Sequence, residues 1–143
     1  MLPVLGVFVM PFAIYEAVLA SRVIRIRRTN RISLDTKMRT PPADGKTIDP
    51  LTVATRAHAN FVEGVPLALV IAGVAELNGA KQSYLGLSLL ILLIGRLLHV
   101  EIGLLRNAHA AGVGRTIGTS VTQLFIVVWG AASAYLALTK HAS

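Results

Sequence analysis

Four stretches of this chain are too long and too apolar to be folded into the core of a soluble domain. The first, residues 2–20, is a run of about nineteen mostly apolar residues. At 1.5 Å per residue a helix of that length crosses a hydrocarbon core of about 30 Å. Three further apolar stretches follow, one before Asn78-Gly79, one around residues 85–94 and one after Arg115. Lipid supplies no hydrogen bonds to a backbone, so a chain built of such segments crosses as helices. Only 15% of the residues are charged, against about 25% in ordinary soluble domains. The expected architecture is all-α: an integral membrane four-helix bundle forming a single domain over residues 1–143. The helices are expected over residues 2–26, 50–77, 82–106 and 116–138.

Local punctuation supports those boundaries. Pro3 suits a helix start and Pro11 a bend. Asp49-Pro50 reads as an N-cap followed by a first helical residue. Asn78-Gly79 ends the second helix, and Pro66 inside it is tolerated in a membrane when neighbours satisfy the freed carbonyl. Residues 107–114 form a short Gly- and Ala-rich connection to Arg115, and Gly130-Ala131-Ala132-Ser133-Ala134 permits close helix approach in the fourth helix.

The net charge of +7 invites a nucleic-acid reading, but its distribution opposes one. Eight of the fourteen basic residues lie between Arg22 and Lys46, directly after an apolar segment, as in a cytoplasmic membrane loop. A secretory signal peptide would carry its positive charges before the apolar run; here they follow it, and the first helix is expected to be retained. The third connection holds Arg106 and ends at Arg115, whereas the second offers only Lys81 and the tail only Lys140. The positive-inside rule therefore puts connections one and three in the cytoplasm and both termini outside, the pattern of a multi-pass inner-membrane protein. The bilayer is one partner; nucleic acid is not.

Function is expected where charge sits deep. Arg56, Asn60 and Glu63 follow the i, i+4, i+7 spacing of one helix face, with His58 pointing elsewhere. Counting from the helix ends, Glu63 lies roughly 20 Å along the second helix and Arg96 roughly 15 Å back along the antiparallel third. A lone charge near the bilayer centre costs on the order of 3 kcal/mol, so a Glu63–Arg96 ion pair is expected, with Asn60 and His99 nearby. Arg25, Arg56, Arg96 and Arg115 outnumber the carboxylates on that half, which suits an anionic ligand. Arg115 directly before a helix start adds free backbone N–H groups. No cysteine is present, no HExxH or Glu-x-x-His pattern appears, and neither His58/Glu63 nor His99/Glu101 shares a helix face, so no metal is expected.

The string Arg56-Ala-His58-x-Asn60-x-x-Glu63-x-x-Pro66 resembles the signature of the MAPEG family, the membrane-associated proteins of eicosanoid and glutathione metabolism, and of its short bacterial members. The likeness extends in order through Val23-Ile-Arg25-Ile-Arg27, Glu76-Leu-Asn78-Gly79-Ala80 and Gly95-Arg96-Leu97-Leu98-His99. It implies a homotrimer of four-helix bundles with glutathione, as co-substrate, bound between subunits. By that resemblance Arg25, Arg56, Asn60, Glu63, Arg96 and His99 line the glutathione site. Arg115 and Thr116 fall where catalytic members place the thiolate-stabilising arginine and a following serine. One position departs: Gly103 stands where eukaryotic members carry a tyrosine. The reading is a glutathione transferase or peroxidase acting on a small lipophilic electrophile or hydroperoxide. Two alternatives stay open, a non-catalytic accessory subunit of a membrane complex and a small proton-coupled exporter using Glu63.

Overall fold

A computed structural model of the chain describes residues 1–34, 49–104 and 113–141, the side chains of residues 113–115, 140 and 141 excepted. Among the described residues there are four long helices and no strands: α1 (Pro3–Thr29), α2 (Pro50–Leu77), α3 (Gln82–Leu97) and α4 (Val113–His141). α3 continues without a break into a π-helical segment, Leu98–Leu104. All four, α3 taken together with this segment, are long and apolar enough to cross a membrane. The protein is an all-α, membrane-spanning four-helix bundle.

The starts and stops follow from local chemistry. Asp49 accepts a hydrogen bond from the Thr52 amide at 2.9 Å, capping α2 ahead of Pro50. α2 passes through Pro66 and ends where Gly79 adopts φ +95°, a conformation open to glycine. The turn is closed by the Ala80 amide donating to the Ala75 carbonyl at 2.9 Å. α1 runs on to Thr29 rather than stopping near residue 26, and α4 begins at Val113, so Arg115 lies inside its first turn and not ahead of it. The connection at residues 35–48 and most of the one at 105–112 lie outside the described residues.

α1 packs chiefly against α2, and α4 lies across α2, α3 and the π-helical segment. The inward stripe of α2 is Ala54, Ala57, Phe61, Val65, Ala68, Ala72 and Ala75. Its small residues bring neighbouring backbones close, as is usual between helices that gain nothing from water exclusion. Phe12, Tyr15 and Leu19 of α1, Leu85, Leu89 and Leu92 of α3, Val100 and Leu104 of the π-helical segment and Phe125 of α4 complete the core. Val7, Met10 and Ile14 on α1, Leu67 and Val70 on α2, Leu90 and Ile94 on α3, and Leu124 and Val127 on α4 point outward. An apolar exterior is what a bilayer requires.

Candidate functional site

At the end of the bundle that carries the turn Asn78–Ala80, the polar groups are joined within the chain. α1 has no side-chain cap of its own and no acidic residue in its first turn. Glu76 supplies the missing acceptor from α2, taking the Val4 amide at 2.8 Å on Oε1 and the Leu5 amide at 3.0 Å on Oε2. The carboxylate thus satisfies two otherwise unpartnered donors and meets the positive end of the helix dipole. Asn78 ties the same corner to α4, donating to the carbonyl and the hydroxyl of Ser133 at 3.2 Å each.

Toward the other end the arrangement changes. Arg96 is 4% exposed. Its Nη1 donates to the backbone carbonyl of Asn60 at 3.3 Å, while Nε has no partner among the described residues. The expected ion pair with Glu63 does not form: among the described residues the salt bridges are Arg22–Glu101 and His58–Glu16. Depth along the axis was estimated correctly, but rotation about it was not. The face of α2 that meets Arg96 carries the Asn60 carbonyl and Gly64, and Glu63 lies exposed on another. Arg56 is exposed on the outside of α2 as well, with Asn60 half-buried between them. His99 is buried in the π-helical segment, its Cβ against Gly118 of α4.

Arg25 is exposed near the end of α1, in a groove of about 470 Å³ lined by Ile14, Ala17, Val18, Ser21 and Arg22. Thr116 is exposed in the first turn of α4. Arg115 belongs to the same turn, and its side chain lies outside the described residues. One copy of the chain therefore brings Asn60 and Arg96 into contact, and leaves Arg25, Arg56 and Glu63 on outer faces.

Two further polar clusters lie outside the expected site residues. Glu101 accepts from the Tyr15 hydroxyl at 3.1 Å and pairs with Arg22 at 2.7 Å, tying α1 to the π-helical segment. Glu16 of α1 contacts His58 Nε2 of α2 at 3.0 Å. The usable signal was that antiparallel packing sets the middle of α1, which carries Tyr15 and Glu16, beside the part of α2 that carries His58 and Phe61. Among the described residues no three histidines, aspartates or glutamates gather closely enough to hold a metal ion.

Residues 5–135 match the model of the MAPEG family. No curated protein matches the chain.

Proposed function

Because the chain belongs to the MAPEG family of membrane proteins, we propose that it binds glutathione, or a similar anionic thiol, between the subunits of a homotrimer in the inner membrane. There it would transfer the thiol to small lipophilic electrophiles or use it to reduce hydroperoxides. The observation that carries the reading is the outer face of α2, where Arg56 and Glu63 stand exposed seven residues apart with Asn60 between them. A charge facing hydrocarbon at the depth of Glu63 costs on the order of 3 kcal/mol, so this face calls for a polar cover.

Glutathione has the complementary groups, one ammonium and two carboxylates. Glu63 would take the ammonium, and Arg56 with Arg25 of a neighbouring subunit would take carboxylates in the bidentate manner guanidinium groups favour. Asn60, Arg96 and His99 would form the floor. A thiol with pKa near 8.5 is largely protonated at neutral pH, so transfer needs a cation beside the sulfur. Arg115 would supply it, helped by the first-turn amides of α4, with the Thr116 hydroxyl as a further donor to the thiolate. The attack forms a sulfur–carbon bond and expels the leaving group of the electrophile.

Titration calorimetry of the protein in lipid nanodiscs with reduced glutathione should give saturable binding. A chlorodinitrobenzene-type electrophile should then be conjugated. Absence of both binding and turnover overturns the reading. The missing Glu63–Arg96 pair favours one second reading, in which Glu63 carries protons for an exporter. That reading requires substrate-dependent proton release in proteoliposomes that Glu63→Gln abolishes, together with no affinity for glutathione.

A further inference from the structure

Glycine inside a helix is unfavourable unless something needs the space it leaves. Gly64 and Gly118 both face the buried polar residues of the third span, yet they leave that space to different neighbours. A Cβ on Gly118 would run into the Cβ of His99 and lie 2.7 Å from the Gly95 carbonyl. Those atoms belong to backbone and to the root of a side chain, and neither can yield without parting α4 from α3. Gly118 is a packing glycine.

Gly64 is different. A Cβ there would lie 2.5 Å from Nη2 of Arg96 and 3.6 Å from its Cζ, with the Thr122 methyl 3.3 Å away. The obstructing atom is the tip of a flexible side chain, so a methyl group would move the guanidinium and leave the helices in place. The same guanidinium is held on its other side by the Asn60 carbonyl, one turn before Gly64. Asn60 and Gly64 together thus form a notch, with a hydrogen-bond acceptor at one edge and an absent side chain at the other.

We infer that Gly64 is a positioning residue: by having no side chain it fixes where the guanidinium of Arg96 stands, and through Arg96 it sets affinity for the anionic thiol. The inference deepens the function proposed above and depends on it only for the ligand. The guanidinium is a planar fork whose donors work when their plane is set, so lateral displacement by a methyl group disrupts its geometry more than it would a rotating ammonium. Gly64 acts through Arg96 and need not touch the ligand.

The test is a mutant cycle of Gly64→Ala, Arg96→Met and the double variant, each purified in nanodiscs, with Gly130→Ala as control. A Cβ at Gly130 would meet nothing within 4 Å. Without glutathione, Gly64→Ala should lower the unfolding temperature when Arg96 is present. It should raise it when Arg96 is methionine, because alanine is the better helix former once the obstruction is gone. Equal shifts in the two backgrounds overturn the notch. With reduced glutathione as probe, Gly64→Ala should weaken binding at least tenfold and Gly130→Ala should leave it unchanged. Coupling in the cycle with unaltered affinity overturns the positioning role. If the unsubstituted protein binds no glutathione, the functional reading and with it the ligand role of Gly64 are overturned, and the cycle alone decides the notch.

Discussion

Glu63 and Glu76 lie on the same helix, thirteen residues or roughly 20 Å apart, and the chain treats them in opposite ways. Glu76 is buried and both its oxygens accept backbone amides of α1. Glu63 is exposed and forms no ion pair among the described residues. The same contrast separates the two halves of the bundle. At the Asn78–Ala80 end, Glu76 answers the amides of Val4 and Leu5, and Asn78 answers Ser133. Toward the other end, Arg56 and Glu63 face outward, and among the described residues Arg96 has one long hydrogen bond and no partner for its Nε. A bilayer tolerates polar groups only when they are partnered. One half of the molecule answers its polar groups within a single chain, whereas the other leaves Arg56 and Glu63 on outer faces, where the proposed second copy and ligand would answer them.

The largest effect should come from breaking the half that carries Glu76. Glu76→Ala leaves two amides of α1 without an acceptor and removes the charge at the helix start, which should destabilise the protein by about 3 kcal/mol. Denaturant unfolding in detergent micelles measures it. A loss below about 1 kcal/mol would mean that water or lipid headgroups replace Glu76 readily, and the contrast would collapse. Next, Glu63→Gln should leave that stability within about 0.5 kcal/mol, as for a surface change. It should weaken glutathione binding tenfold or more, about 1.4 kcal/mol. If Glu63→Gln instead destabilises the unliganded monomeric form, Glu63 already has a partner within its own chain. Asn78→Ala should cost about 1 kcal/mol by releasing the Ser133 contacts, with glutathione binding unchanged.

How much of this could be read in the sequence divides along similar lines. The four spans follow from lengths of apolar runs, and the start of α2 from Asp49-Pro50, because each depends on neighbours in sequence. Depth also transfers well, since rise per residue adds steadily and puts Arg96 at the level of Asn60 to Gly64. Rotation does not. A step of about 100° per residue means that Glu63 and Gly64 face different neighbours, and which of them meets Arg96 is decided by packing. The π-helical segment Leu98–Leu104 has no sequence signal comparable to a cap or a proline, and it changes the facing of the residues within it, His99 among them. The Glu76 cap was hidden for a further reason, since its partners are backbone amides seventy-two and seventy-one residues away. The candidate residues Arg56, Asn60, Glu63 and Arg96 were legible as polar atoms in an apolar setting, whereas their grouping was legible only for Asn60 and Arg96.

The smallest predicted effect tests how open the half that carries Glu63 is. Arg22 and Glu101 pair at 2.7 Å with side chains 35% and 38% exposed, and Tyr15 donates to the same carboxylate oxygen. Glu101→Gln keeps an acceptor for the tyrosine and removes only the charge opposite Arg22. Pairs this exposed contribute little, since water screens them and two flexible side chains must be held still. The expected loss is about 0.5 kcal/mol, shrinking further in high salt. A loss of about 2 kcal/mol that salt leaves unaltered would place the pair in a water-poor setting. The end of α1 would then be covered, and the region that the proposed second copy covers would extend from the α2 face across to Arg22 and Arg25.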